Sequence, residues 1–295
     1  IYAIEPNTTY FNASSFGALT SARRSTAGCS NPTRAVFFGG ENNSNAQIDI
    51  IDYVTIASTG NAADFGDLSV ACKKTAGTAS ETYAVISRGQ HATSNSTNDR
   101  GLDRITIAST GNASTLGNAA DFGDRTVTQA RPSALSSATR GVFVGGQTGN
   151  TIDYITIAST GNATDFGDTT NSTYGGGSVS NGTRGVTHTA TGSADNTLQY
   201  ITIASTGDAA DFGNLTVSRR SSDKACNSTT RGCIAGGVAS AHGSDVIDYI
   251  TTASTGTATD FGNLSVGRSQ GGGGGNSVRG VFGGGENASQ AAVNT

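Results

Sequence analysis

The stretch Ile152-Asp153-Tyr154-Ile155-Thr156-Ile157-Ala158-Ser159-Thr160-Gly161-Asn162-Ala163-Thr164-Asp165-Phe166-Gly167 decides the fold, because most of it recurs along the chain. Its last three residues occur five times, at Asp64-Phe65-Gly66, Asp121-Phe122-Gly123, Asp165-Phe166-Gly167, Asp211-Phe212-Gly213 and Asp260-Phe261-Gly262, with a degraded copy at Ser15-Phe16-Gly17. The phenylalanines lie 49, 57, 44, 46 and 49 residues apart, a mean of 49. That period belongs to a propeller blade rather than to a helical repeat. The 295 residues therefore read as one domain, 1–295, of six units anchored near Phe16, Phe65, Phe122, Phe166, Phe212 and Phe261. The interval of 57 contains an extra turn segment, Asn112 to Leu116, since Gly111-Asn112-Ala113 is echoed at Gly117-Asn118-Ala119.

Within a unit the pieces read as strands. Val142-Phe143-Val144 is built of β-formers, and Gly145-Gly146 permits a turn or a close backbone approach that a Cβ would obstruct. Ile152 to Ala158 suits a pleated surface, and Ser159-Thr160-Gly161-Asn162 supplies turn chemistry before the Phe166 strand. A small-residue segment such as Arg23-Arg24-Ser25-Thr26-Ala27-Gly28-Cys29 precedes each unit and reads as the innermost strand, where a toroid is narrow. The chain starts in a third strand, Ile1-Tyr2-Ala3-Ile4, and stops after a second, Val278 to Gly284, so the two ends are expected to complete one blade. Such closure removes free sheet edges. The expected fold is thus all-β: a six-bladed propeller of four-stranded antiparallel blades.

Composition narrows the function classes. Only 14% of residues are charged, the net charge is −4, and 42 residues are glycine, so there is no basic footprint for nucleic acid. No run approaches the roughly 20 apolar residues of a membrane span. No initiator methionine or secretory leader opens the sequence, which suggests a processed chain or part of a longer one. The cysteines Cys29, Cys72, Cys226 and Cys233 form no Cys-x-x-Cys pair, which argues against zinc. Cys226 and Cys233 flank a hairpin turn and read either as a cross-strand disulfide or as buried thiols.

The units resemble the kelch motif. A hydrophobic strand ends in Gly-Gly at Gly39-Gly40, Gly145-Gly146, Gly236-Gly237 and Gly283-Gly284-Gly285, and a tyrosine follows in the next strand at Tyr53, Tyr154, Tyr200 and Tyr249. The chain departs from that motif in lacking tryptophan, using the five Asp-Phe-Gly phenylalanines instead, and in carrying Ser87-Arg88-Gly89 and His188-Thr189-Ala190 at two diglycine positions, where distortion is expected.

Residues that could carry chemistry have a structural reading beside the reactive one. Asp-Phe-Gly also binds metal in protein kinases, but the Gly-rich loop, strand lysine and His-Arg-Asp loop are missing. Phe is expected to fill the space between blades, Gly to permit a bend and Asp to cap a turn. The repeated Arg34, Arg140, Arg184, Arg231 and Arg279 are expected to pair with the aspartates of Asp-Phe-Gly. A second acidic set, Asp52, Asp103, Asp153 and Asp248, lacks the alternating carboxylates of a calcium loop. The histidines His91, His188 and His242 read as solvated loop residues. No nucleophile elbow or Ser, His and acid set stands out, and sialidase-like and copper-oxidase-like propellers find no support. Twelve Asn-x-Ser/Thr sequons, including Asn7, Asn12, Asn95, Asn162, Asn214 and Asn263, matter only for a eukaryotic secretory origin.

The loops between second and third strands vary most: Glu41 to Gln47, Gln90 to Gly101, Gln147 to Thr151, Thr191 to Asn196, Val238 to Asp245 and Glu286 to Asn294. Variable loops on a rigid scaffold are a usual arrangement for recognition. The near-identical unit cores are similar to those of kelch-like repeat proteins encoded by marine tailed phages, particularly cyanophages. That resemblance implies a non-enzymatic virion or tail-fibre component, extracellular, without cofactor, whose partners are other virion proteins, a host-surface receptor or further copies of the chain in a homo-oligomer. The alternative is a secreted lectin-like propeller that binds glycans. No catalytic, metal or cofactor residue is assigned, and neither nucleic acid nor a membrane span is expected.

Overall fold

The computed structural model describes residues 1–8, 12–91, 98–109, 118–221, 224–239 and 243–294. The segment 112–116, His242 and the sequon Asn95 lie outside these residues. Six four-stranded antiparallel sheets stand around an axis, each innermost strand packed against the next, and the last against the first. Blade three shows the common plan, with strands Ser133–Ser136, Arg140–Gly146, Gly149–Thr156 and Thr164–Asp168 running outward from the axis. Blade one comprises Ala27–Ser30, Arg34–Phe38, Ile50–Thr55 and Ala63–Asp67. The innermost strand starts at Ala27, and Arg23 to Thr26 form the linker into it.

Blade six is assembled from both chain ends. Gly272–Gly275 and Gly280–Gly283 supply its inner strands, and Tyr2–Ile4 and Ser14–Ser15 its outer ones. The seam is an antiparallel register of Tyr2 with Phe282, Ala3 with Val281 and Ile4 with Gly280.

The core is divided into six clusters, each shared by two adjacent blades. Val36, Phe38, Ile51 and Phe65 of blade one pack with Ala84, Ile86 and Ile105 of blade two, whereas Phe16 and Val281 of blade six pack with Phe37 and Val54 of blade one. Apolar burial of this kind, at about 25 cal/mol per Å², therefore holds blade to blade around the whole ring.

The recurring Asp-Phe-Gly makes a β-bulge. In blade three Asp153 pairs with Asp165 and Ile152 with Gly167, which leaves Phe166 as the extra residue turned into the core. The same register shift occurs beside Asp52, Asp103, Gln199 and Asp248. Gly167 has φ +147°, and a Cβ there would lie 2.5 Å from the carbonyl oxygen of Gly207 in the following unit. That close approach is an inter-blade belt. Gly207 N donates to Phe166 O (2.7 Å), Ala209 N donates to Asp168 O (2.8 Å), and Asp168 N donates to the Asp208 carboxylate (3.0 Å). Asn162 makes the equivalent contact to Asp124, Asn61 to Ala18, and Asn12 to Asn263. In the unit with the long interval, the second copy of the echo serves: Asn118 accepts from Asp67 N. The Gly-Asn-Ala element thus recurs because it docks on the Phe-Gly of the neighbouring unit.

The four cysteines are free and buried, so of the two readings of Cys226 and Cys233 the buried thiols stand. Cys226 and Cys233 face each other as register partners across two strands, and their mutual hydrogen bond, with burial, raises the Cys226 pKa. In unit three the loop is only Gln147-Thr148, since the strands extend to Gly146 and from Gly149. Gln90-His91 is no loop but a short ladder against Cys72-Lys73.

Candidate functional site

The repeated side chains are used up in construction. Arg34, Arg140, Arg184, Arg231 and Arg279 do not pair with the Asp-Phe-Gly aspartates, because their guanidiniums point along the rim to carbonyl oxygens of neighbouring segments. Arg140 Nη1 donates to Ile203 O (2.8 Å), Arg184 Nη1 to Ala253 O (2.7 Å) and Arg279 Nη1 to Ile56 O (2.9 Å). Arg140 also lies 4.1 Å over the Tyr154 ring, which meets Phe166 edge-on at 6.0 Å. Blade two inverts this stack: Tyr83 stands where the arginine is expected and Arg104 where the tyrosine is, 4.8 Å apart. The cation–π contact survives the exchange.

The buried aspartates of the third strands are the true ion-pair partners. Asp52 pairs with Arg23 (3.0 Å), Asp103 with Arg88 (2.8 Å), Asp153 with Arg125 (3.0 Å) and Asp248 with Arg219 (2.9 Å). Each carboxylate also accepts a hydroxyl from the segment that leads into its blade, from Thr20, Ser69, Thr126 and Thr216 respectively. These latches fasten each such segment to the blade it enters. Gln199 in blade four and Tyr2 in blade six replace the aspartate, holding Thr170 and Arg268. Among the described residues no three His, Cys, Asp or Glu side chains converge as a metal site requires.

His188 is buried in its strand rather than solvated, and its Nε2 lies 3.0 Å from Asp195 O. Burial pushes its pKa down to about 4. Its neighbours Thr189 and Ala190 avoid positive φ, and Ala190 instead makes a parallel bridge with Thr173, the distortion expected of that unit. In the other irregular unit Gly89 alone takes φ +66°. His91 lies 3.9 Å from Asp99.

What remains is the axis. The innermost strands line a channel cavity of about 170 Å³, walled by Gly28, Gly77, Ser136, Ser180 and Gly274 among other small residues. On the face of the variable loops lies a second cavity, a vestibule of about 580 Å³. This vestibule is built where each linker turns into its innermost strand. The turn residue is left-handed in all six units: Ser25, Lys74, Arg131, Gly175, Ser221 and Gln270, with φ between 52° and 64°. Successive turns are chained by backbone hydrogen bonds: Lys74 N to Ser25 O, Arg131 N to Lys74 O, Gly175 N to Arg131 O, Ser221 N to Tyr174 O and Gln270 N to Ser221 O. Across the axis, Arg131 of blade three donates to Gln270 of blade six (3.0 Å), which also takes the Ser25 hydroxyl (2.6 Å).

The vestibule is basic although the chain is acidic. Arg24, Lys73, Lys74, Arg131 and Arg220 face two carboxylates, Glu41 and Glu286. Glu41 is taken by Arg24 (3.1 Å) and Lys73 (2.6 Å), and Glu286 lies 3.5 Å from Arg24. Lys74, Arg131 and Arg220 have no carboxylate partner among the described residues. Arg131 and Arg220 flank the Tyr174 ring at 5.0 and 5.8 Å. Burial, followed by the charges of Arg131 and Lys73, lowers the Lys74 pKa to about 8. Sequence reasoning missed this cluster. Its signal is the basic residues that recur just before the innermost strands, Arg23-Arg24, Lys73-Lys74, Arg131 and Arg219-Arg220.

No protein-family model matches the chain, and no curated protein is significantly similar to it.

Proposed function

We propose that the chain is a non-enzymatic recognition propeller of kelch-like type, a virion appendage component of a tailed phage that acts in attachment or assembly. The observation that supports this reading is the division of labour within each unit. Bulge, belt, stack and latch are spent on the ring, whereas the parts that differ between units gather on one face around the vestibule. Such a partition suits binding, because loops can change without disturbing the scaffold. Among the described residues the buried aspartates Asp52, Asp153 and Asp248 are taken up in ion pairs with arginine, which favours a binding reading over a catalytic use of these carboxylates.

The reading is tested by mass spectrometry and immunogold labelling of purified particles from the source of the chain. Copies of the chain on the particle surface are the expected result. A chain found free of particles and bound instead to a neutral sugar on a glycan array would replace this reading with the lectin-like one.

A further inference from the structure

We propose that the axial vestibule is a binding site for a tetrahedral oxyanion, a phosphate or sulfate group, held by Lys74, Arg131 and Arg220. The inference rests on the recognition reading for its biological meaning, since vestibule and variable loops share one face. Four observations carry it. The cavity, about 580 Å³, falls within the size range of small-ligand pockets and exceeds what a single oxyanion fills, leaving room for the molecule that bears it. Three cations from three different blades converge there with no salt bridge among the described residues, and the five cations of the lining face two carboxylates, in a molecule whose net charge is −4. Chance surface charge in an acidic protein would not concentrate like this, and like charges brought together oppose folding unless something neutralises them.

The guanidiniums are also preorganised. Tyr174 fixes Arg131 and Arg220 against its ring, and Gln270 with Ser221 holds the Arg131 Nη atoms. A planar fork of donors held in this way matches the oxygens of phosphate or sulfate, whereas a lysine adds a point charge. Finally, two turn residues carry these charges in left-handed backbone, Lys74 at φ 57° and Arg131 at φ 58°. Serine and glycine fill that position in blades one, four and five, so long cationic side chains are placed there against backbone preference.

Lys74 gives the site a pH signature. The charged groups around it are Arg131, Lys73, Arg24 and Arg220 on one side of the balance and Glu41 and Glu286 on the other. Its ammonium is charged below a pKa of about 8 and is lost above it, so affinity for an anion of constant charge falls as pH rises through that value.

Isothermal titration of the purified chain with sodium sulfate at low ionic strength tests the site, sulfate keeping its charge across the range. Saturable binding is expected at pH 7, weaker by pH 9. Lys74→Asn and Arg131→Asn, which keep a residue tolerant of left-handed backbone, are each expected to weaken it about tenfold. Arg220→Gln, at an ordinary backbone position, repeats the test without that constraint. Arg100→Gln, an exposed cation paired with Asp124, is expected to leave binding unchanged. Titrations with inorganic phosphate, glucose 6-phosphate, galactose 6-sulfate and the unesterified sugars identify the source. Tighter binding of the esters assigns the site to a substituted saccharide, and equal binding assigns it to the free anion. Absence of saturable sulfate and phosphate binding, or binding that the three vestibule variants leave intact while their unfolding temperatures match the parent, overturns the proposal. Because the titration uses the isolated chain, such a failure leaves the attachment reading standing, and absence from particles leaves the titration standing.

Discussion

At the scale of single residues, two sets of arginine do different work. Arg125 is fully buried with Asp153, so removing it strands a carboxylate in the core. Breaking a buried pair on one side typically costs about 3–5 kcal/mol. Arg140 sits half-buried on the rim, where a carbonyl contact and a ring stack are worth about 1–2 kcal/mol together. Urea unfolding is therefore expected to show Arg125→Ala as clearly more destabilising than Arg140→Ala. The reverse order would return the structural role to the strand-leading arginines. Sequence alone could not make this distinction, because the buried guanidinium is delivered from unlike places in the unit. Arg23 comes from the linker, Arg219 from the end of the long strand Ala210–Arg219, Arg125 directly follows the Asp-Phe-Gly-Asp of its unit, and Arg88 replaces the first glycine of a diglycine. The aspartate repeats where its partner does not.

At the scale of elements, the bulge and belt explain why the most repeated letters are repeated. Gly167→Ala would drive a Cβ to 2.5 Å from Gly207 O in a backbone region that suits glycine. A loss of about 2–3 kcal/mol is expected in urea unfolding. Gly60→Ala, whose Cβ meets nothing within 4 Å, is expected to stay within about 0.5 kcal/mol of the parent. Equal effects at the two sites would mean that the belt contact is not what the repeated glycine serves. Strand order and blade count were legible in the sequence because both depend on a period, and a period survives local substitution. Blade two shows its limit: Tyr83 and Arg104 exchange places, so a position-by-position reading loses a contact that is still made in space. Variable loops were legible as a class but not in extent, since Gln147-Thr148 tightens to a two-residue turn through pairing of Gly146 with Gly149.

At the scale of the whole molecule, the vestibule exists only when the ring is closed. Its cations lie between Arg24 and Arg220 in the sequence, and no local pattern brings them together. The same closure joins Tyr2–Ile4 to Gly280–Gly283 and completes the cluster of Phe16 and Val281 with Phe37. Ring and vestibule alike depend on that seam, so the most direct test is native-state hydrogen exchange read by mass spectrometry. Peptides covering Tyr2–Ile4 and Gly280–Gly283 are expected to exchange as slowly as Arg34–Phe38 of the continuous blade one. Exchange at both end segments within seconds, with blade one still protected, would contradict a closed six-bladed ring.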